Sequence, residues 1–282
     1  MVTRILTGEP PHLKAPAGTT DTHMHFYDSR YPTMPGTPVP ADASVEDYRQ
    51  VMRWLGIDRV IVVQPNAYGD DNRLIMDSVA ALGMDIARAV AVVKPGVADD
   101  QLDALTKGGA RGARIMALLG GTVGLDGLDR VAAQVQAFGW HVIVQTDGRD
   151  FADHEAQLMR LPGPFVIDHI GKFLEPVAPD HAAFKALLRL VDTGRCYVKI
   201  SAPYETSKTG GPAFADVAVL AKALIRAAPE RMLWATNWPH AQAAIFGYPN
   251  DAGLLDLLLD WAPDETAIAK MLVENPARLY GF

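Results

Sequence analysis

Short runs of apolar, β-branched residues recur along this chain, separated by amphipathic or Ala- and Leu-rich stretches. Strands that are apolar along their whole length are typical of a parallel sheet covered by helices. Two further runs, which contain more polar residues, lie at residues 19–25 and 112–116. They bring the number of predicted strands to eight, the number that a closed barrel of parallel strands requires. The predicted strands lie at residues 19–25, 60–63, 89–93, 112–116, 142–144, 165–167, 197–200 and 232–234.

The stretches between these runs have the periodicity of helices. The predicted helices span residues 45–55, 72–82, 99–107, 125–138, 151–160, 182–191, 213–228 and 252–262. We therefore predict an α/β fold, a single (β/α)8 TIM barrel over residues 19–282, preceded by an N-terminal extension over residues 1–18. A doubly wound open sheet is the alternative, but the GxGxxG fingerprint typical of that fold does not follow the first run.

Charge and cysteine content limit the partners and the compartment. The chain has a formal net charge of −7, and no basic stripe is present, which argues against a nucleic acid partner. No segment approaches the ~20 apolar residues of a membrane span, and residues 1–16 do not resemble a signal peptide. Cys196 is the one cysteine, so no disulfide forms within the chain. We predict a cytoplasmic protein without a membrane partner; no feature indicates its oligomeric state.

Polar residues follow several of the predicted strands. His23 and His25 are two positions apart, so in a strand their side chains point the same way. Arg114, His169 and Asn237 lie at or just beyond the ends of three other strands. Each alone is also compatible with an ordinary hydrogen-bonded residue. Because the carboxyl ends of barrel strands converge, we expect these side chains to share one pocket.

Four motifs together resemble those of the amidohydrolase superfamily, in its amidohydrolase 2 branch. They are the HxH at residues 23–25, DHIG at 168–171, TNWPH at 236–240 and ENPARLYG at 274–281. Within that branch the chain is similar to galactarolactone isomerases and 2-pyrone-4,6-dicarboxylate lactonases, from about residue 16 to the last residue. The resemblance implies a TIM barrel that acts on a small carboxylated sugar lactone, in D-galacturonate and related carbohydrate acid metabolism.

The resemblance also implies roles for individual residues. His23, His25 and His169 are placed at the lactone carbonyl, and Arg114 is placed at a substrate carboxylate, which its planar guanidinium can bind through two hydrogen bonds. Asn237 stands where the lactonases carry an aspartate that acts as general base. Further residues expected to bind substrate lie at strand ends or in the following loops: Asn66, Tyr68, Gln145, Lys172, Lys199, Tyr204 and His240.

Departures from the family pattern argue against a metal. Metal-dependent members combine the HxH pair with further histidines, an acidic residue or carboxylated lysine, and a final aspartate. Here the fourth strand carries the cationic Arg114, the fifth ends in Gln145 without a histidine, and Asn237 replaces the aspartate. A catalytic metal typically needs at least three good ligands. We therefore predict a metal-independent site with no cofactor.

The replacement of the final aspartate bears on the reaction. Hydrolysis requires a group that takes a proton from water, and the amide of Asn237 is not basic near neutral pH. An internal hydroxyl needs less help, because its effective molarity reaches ~10⁵–10⁸ M. We predict that the chain converts D-galactaro-1,5-lactone to the 1,4-lactone by intramolecular acyl transfer. The alternatives are a lactonase that uses Asp147 or a histidine as base, and a binding protein without catalysis.

Overall fold

Eight parallel strands follow one another around a barrel in the order of the chain. The computed structural model describes residues 4–118 and 120–282. The strands span Thr20–Met24 (β1), Arg59–Val63 (β2), Ala87–Ala91 (β3), Ala110–Met116 (β4), His141–Gln145 (β5), Phe165–Ile167 (β6), Cys196–Ile200 (β7) and Met232–Trp234 (β8). The predicted (β/α)8 barrel is confirmed. β3 begins two residues earlier than predicted, because Ala87 pairs in parallel with Val60 of β2.

Helices cover the outside of this barrel and connect successive strands. They span Val45–Leu55 (α1), Arg73–Leu82 (α2), Asp99–Lys107 (α3), Leu125–Gln136 (α4), Phe151–Met159 (α5), Ala182–Asp192 (α6), Ala215–Ala227 (α7), Ala243–Phe246 (α8), Asp251–Trp261 (α9), Glu265–Ala269 (α10) and Asn275–Tyr280 (α11). A π-helical turn, Lys270–Glu274, joins α10 to α11. None of the helices in the described ranges is long and apolar enough to cross a bilayer. The segment 31–40, which follows β1, contains neither helix nor strand.

The alternation of side chains along each strand separates two apolar layers. On β2, Val60 and Val62 pack in the layer between strands and helices, whereas Ile61 and Val63 face the barrel interior. The interior cluster consists of Ile61, Val63, Val90, Ile143, Val166, Tyr197, Leu233 and Tyr280. The same alternation directs Lys199, two residues after Tyr197, into the barrel.

Residues on and beyond β8 close the barrel against β1. Asn237 N donates to His23 O at 2.9 Å, and His25 N donates to Trp238 O at 2.8 Å. Lower in this seam, the hydroxyl of Thr22 donates to Trp234 O at 2.8 Å. The segment after β8 is therefore bonded to the backbone of the HxH pair. This arrangement brings the first and last strands to one site.

Candidate active site

Three histidines stand close together at the carboxyl end of the barrel. The ring of His23 lies 4.8 Å, between centroids, from the rings of both His25 and His169. All three side chains are buried. Burial is the main cause that lowers their pKa: to about 3 for His25, and well below the usual value for His23 and His169. These imidazoles are therefore neutral at physiological pH.

A chain of hydrogen bonds through two of these rings has one direction. The Lys199 ammonium lies 2.9 Å from His23 Nδ1, His23 Nε2 lies 3.2 Å from His25 Nε2, and His25 Nδ1 lies 2.8 Å from Val63 O. An ammonium only donates and a carbonyl only accepts. Lys199 therefore donates to His23 Nδ1, His23 donates through Nε2–H to His25, and His25 donates through Nδ1–H to Val63 O. The two ends of the chain set both tautomers.

Asp168 provides the negative charge beneath the histidines. Its Oδ1 lies 3.2 Å from Lys199 Nζ and 3.2 Å from His23 Nδ1, and both Asp168 and Lys199 are fully buried. Burial opposes ionisation of Asp168, but the Lys199 ammonium holds the pKa of this carboxyl well below its usual range. Burial in turn lowers the pKa of Lys199, and Asp168 opposes that shift. The pair is a buried ion pair that supports the rings from below.

The same cluster bears on whether a metal fits. Ligand atoms of His23, Asp168 and His169 all lie within 4.8 Å of one another, so three donors are present. However, the Lys199 ammonium already contacts His23 Nδ1 at 2.9 Å and Asp168 Oδ1 at 3.2 Å. A divalent ion on these ligands would face that positive charge at short range in a medium of low dielectric constant. The residues present do not fit a resident metal ion.

Arg114 is a buried cation surrounded by neutral acceptors. Its Nη1 donates to Gln64 O at 2.8 Å and to Asn66 Oδ1 at 3.3 Å, and its Nη2 donates to Gln145 Oε1 at 2.9 Å. Within the described ranges no carboxylate lies at ion-pairing distance from this guanidinium, and its Nε has no partner. Burial lowers the pKa of Arg114, an effect that the charge of Asp168 opposes. A buried guanidinium of this kind is suited to receive an anion.

Asn237 connects the last strand to the loop after β7. Its Nδ2 donates to Tyr204 Oη at 2.9 Å and to Glu205 Oε1 at 3.1 Å. The other oxygen of Glu205 forms an ion pair with Lys172, and both of these side chains are almost wholly buried. The amide of Asn237 therefore acts as a donor beside a buried carboxylate.

His240 is engaged through both ring nitrogens. Its Nε2 donates to Asp251 at 3.1 Å, so Nδ1 is left to accept a hydrogen bond from the Tyr204 hydroxyl at 2.9 Å. Burial raises the pKa of Tyr204 well above its usual value, so this hydroxyl keeps its proton. In this arrangement His240 holds Tyr204, which in turn accepts from Asn237.

Two other predicted substrate-binding residues are also committed to protein contacts. The hydroxyl of Tyr68 accepts from Asp28 N at 2.8 Å and donates to Asp28 O at 3.1 Å, which ties it to the loop after β1. Lys199 is fully buried beneath the histidines. Both residues hold neighbouring groups in position.

The backbone is left-handed at several residues just beyond β6, β7 and β8. The non-glycine residues with positive φ there are His169 (52°), Ile170 (56°), Lys172 (49°), Ala202 (48°), Asn237 (60°) and His240 (58°). Left-handed conformations of non-glycine residues are uncommon and cluster at functional sites. Four of these residues are among those predicted to act on substrate.

Asp168, Ser201 and Glu205 are among the residues that have no role predicted from sequence and yet contact predicted site residues. Glu205 accepts from Asn237, Asp168 pairs with Lys199, and the Ser201 hydroxyl lies 2.9 Å from His169 Nδ1. Asp168 lies inside the DHIG motif, next to a histidine that was assigned a role. The available signal for Ser201 and Glu205 was their position, one and five residues after β7.

A separate cleft of about 500 Å³ lies between the loop after β1 and α2. Its lining includes Asp28, Tyr31, Asp42 and Asp77 but none of the site histidines or Arg114. The Tyr31 hydroxyl donates to Asp77 at 2.6 Å within it. This cleft is distinct from the polar cluster at the barrel end.

Comparisons with known proteins agree with the motifs. The amidohydrolase family model matches residues 20–282. The chain is 42% identical to D-galactarolactone isomerase of Agrobacterium fabrum, over 98% of this chain and 96% of that protein. It is 31% identical to a 2-pyrone-4,6-dicarboxylate hydrolase of Comamonas testosteroni, over 96% and 92% of the two chains. A crystal structure of an Agrobacterium tumefaciens protein in its apo form superposes with a TM-score of 0.94, at 41% identity and 99% coverage of both chains.

Proposed function

Because the chain belongs to the amidohydrolase family, we propose that it is a sugar-acid lactone isomerase that converts D-galactaro-1,5-lactone to D-galactaro-1,4-lactone. The relative named for this reaction shares 42% of its residues over nearly the whole chain. The observation that carries the proposal is the balance of buried charge around Arg114. The neutral histidines and the amide of Asn237 then favour isomerisation of the lactone over its hydrolysis.

Three lysine and arginine side chains are buried in the described part of the chain: Arg114, Lys172 and Lys199. Lys199 pairs with Asp168 and Lys172 pairs with Glu205, which leaves Arg114 as the buried cation without an acid in that part. A galactaro-1,5-lactone has one free carboxylate, because its other carboxyl group is esterified in the ring. A pyrone dicarboxylate has two, and the second would be left without a buried cation.

The lactone carbonyl belongs beside the histidines. Neutral imidazoles donate an N–H to an oxyanion without adding a positive charge, and a buried site strengthens that interaction. The hydrogen bond from Lys199 to Nδ1 leaves His23 with its proton on Nε2, where it is directed at His25. His169 has one ring nitrogen bonded to Ser201, so its other nitrogen is available to the substrate. His169 therefore polarises the carbonyl through its remaining ring nitrogen, His23 and His25 line the site beside it, and Arg114 holds the carboxylate.

Ring exchange is favoured over hydrolysis at such a carbonyl. The C4 hydroxyl of a bound 1,5-lactone lies in the same molecule as C1, so its effective molarity exceeds that of water by orders of magnitude (~10⁵–10⁸ M). Asn237 uses its Nδ2 as a donor to Tyr204 and Glu205 and supplies no base for water. The product is therefore the 1,4-lactone, and no open diacid is formed.

The test is incubation of the protein with D-galactaro-1,5-lactone in ¹⁸O-water, followed by NMR and mass spectrometry. We expect 1,4-lactone without label, formed faster than in a control without enzyme. Labelled open diacid as the main product would instead establish the lactonase alternative. If 1,4-lactone formed no faster with the protein than in the control without it, the alternative of a binding protein without catalysis would hold instead.

A further inference from the structure

Glu205 is a buried carboxylate at the candidate site for which the family motifs provide no role. It ends the 3-10 turn Pro203–Glu205, which follows β7. Its side chain is 7% exposed, forms an ion pair with Lys172 and accepts a hydrogen bond from Asn237. A negative charge in such surroundings is retained only where it is paired, and its position beside Asn237 puts it where the reaction takes place.

We propose that Glu205 is a catalytic residue, which takes the proton from the attacking hydroxyl of the lactone and returns it to the oxygen that leaves. This inference rests on the proposed isomerase function.

The steps balance with one carboxylate. The C4 oxygen forms a bond to C1, its proton passes to Glu205, and the carbonyl oxygen becomes an oxyanion that His169 stabilises. The oxyanion then re-forms the carbonyl, the bond between C1 and O5 breaks, and O5 takes the proton from Glu205. The attacking and leaving oxygens are on adjacent carbons, so a single group reaches both. No proton is gained or lost, and no second acid is required.

The other buried acids near the site are committed elsewhere, and Asp21 among them accepts hydrogen bonds from Tyr48, Thr236 and the backbone of His23. Asp168 is fully buried beneath the histidines with Lys199, and Asp251 is bonded to His240 on the far side of Tyr204. Asp147, the base considered from sequence, forms an ion pair with Arg149. Among the acids of the described ranges, Glu205 is the one that Asn237 contacts directly.

The charge state of Glu205 suits a proton carrier. Burial opposes its ionisation, but the Lys172 ammonium holds the pKa of this carboxyl below its usual value. Each of its oxygens already accepts one hydrogen bond, from Lys172 or from Asn237. Glu205 is therefore ionised but weakly basic. That is sufficient for an internal hydroxyl of high effective molarity, whereas attack by water needs a stronger base.

The first test is Glu205→Gln, which keeps the shape of the side chain and an oxygen for Asn237 but removes the basic group. We expect kcat for isomerisation to fall by roughly 10²–10⁴-fold, the range typical of general acid–base catalysis, with little change in KM. The matched control is Glu175→Gln, in the loop after β6, whose side chain is 60% exposed and pairs with Lys208. This control should retain the wild-type rate.

The second test is Lys172→Met, which keeps the carboxylate but removes its ammonium partner. The pKa of Glu205 should then rise, because burial is no longer offset by that charge. The acid limb of the kcat profile, where Glu205 becomes protonated, should move to higher pH than in the wild type. A purely structural role for Glu205 would not move this limb. If Glu205→Gln does not fold, the Lys172→Met profile carries the test.

The outcomes separate the two levels of inference. A wild-type protein that produces no 1,4-lactone would overturn the isomerase function itself. A wild-type protein that isomerises, together with a folded Glu205→Gln variant of similar kcat, would overturn the role of Glu205 alone. An acid limb that stays in place in Lys172→Met would do the same. The predicted loss in Glu205→Gln and the predicted shift in Lys172→Met would support it.

Discussion

The lower and upper halves of the barrel interior have opposite chemistry. In the lower half, fully buried aliphatic side chains such as Ile61, Val90 and Ile143 fill most of the space between the strands, with the ring of His141 packed on Tyr280 among them. In the upper half the same inward positions carry charged and polar groups, among them Lys199 and Arg114. Strands thus pass from an apolar layer to a polar one within two or three residues.

The difference shows what each half contributes. Apolar burial and close packing stabilise the lower half, so its side chains are limited mainly by volume. In the upper half each buried charge needs a partner, and Lys199 and Lys172 have theirs in Asp168 and Glu205. Arg114 is the exception, and the substrate carboxylate supplies what it lacks. Substitutions in the upper half should therefore change the balance of buried charge and the rate of the reaction. Substitutions in the lower half should change stability alone.

The largest effect on stability is expected for Lys199→Met. This change leaves Asp168 charged and buried without its ammonium, which typically costs ~3–5 kcal/mol. In the wild type the pKa of Asp168 is lowered, so its contribution is present at neutral pH and is lost as pH falls. Without Lys199, burial should raise that pKa, so the variant should lose stability as pH rises instead. Denaturant unfolding at several pH values measures both.

The control for that prediction is the double variant Lys199→Met/Asp168→Asn. It removes the uncompensated charge and should recover part of the stability, with no rise in stability towards acid pH. Equal stability of the single variant and the wild type at neutral pH would contradict a structural ion pair in the upper half.

The next largest effect is expected on activity for Arg114→Met. Loss of a buried partner for the substrate carboxylate typically costs ~2–5 kcal/mol, or roughly 30- to 5,000-fold in kcat/KM. The matched control is Arg111→Met, at the opposite end of the same strand, where Arg111 donates to backbone carbonyls. Steady-state kinetics should show the loss in the first variant and not in the second. Normal kinetics in Arg114→Met would remove this residue from the site.

A smaller change is expected for Asn237→Asp. It turns a donor to Glu205 into a second carboxylate, and two adjacent carboxyl groups raise the pKa of one of them. That group is a stronger base for water, so we expect hydrolysis to rise about 10²-fold, the lower end of general base catalysis. NMR of both products in wild type and variant measures it. Equal hydrolysis by the two proteins would show that Asn237 does not suppress water attack.

In the lower half, Ile143→Val should affect stability only. Removing one buried methylene typically costs ~0.5–1.5 kcal/mol, and Ile143 contributes its side chain to the apolar interior cluster. Denaturant unfolding should show this decrease, while kcat/KM stays at the wild-type value. A changed rate would mean that the two halves are coupled.

No effect is expected from removal of metal ions. The positive charge at the histidines comes from Lys199, 2.9 Å from His23 Nδ1, which disfavours a divalent ion there. Isomerisation should therefore continue at the same rate after exhaustive chelation. Loss of activity with chelator and its return with zinc would refute the prediction that the site in the upper half works without a metal ion.

Local patterns in the sequence predicted much of this structure. The apolar runs indicated six of the eight strands, and the alternation of side chains placed His23 and His25 together. Arg114 was singled out from its position in β4, and the structure places it, buried, towards the carboxyl end of that strand. These features depend on residues only a few positions apart, which is why periodicity and strand ends were sufficient to predict them.

The sequence by itself determined the barrel, the histidine pair and the replacement of a family aspartate by Asn237. Only the tertiary structure decided which groups surround them: Lys199 behind His23, Ser201 beside His169 and Glu205 beside Asn237. His23 and Lys199 are separated by 176 positions in the chain. Contacts of that kind depend on barrel closure and on the left-handed turns beyond β6, β7 and β8, and no short-range pattern of residues encodes them.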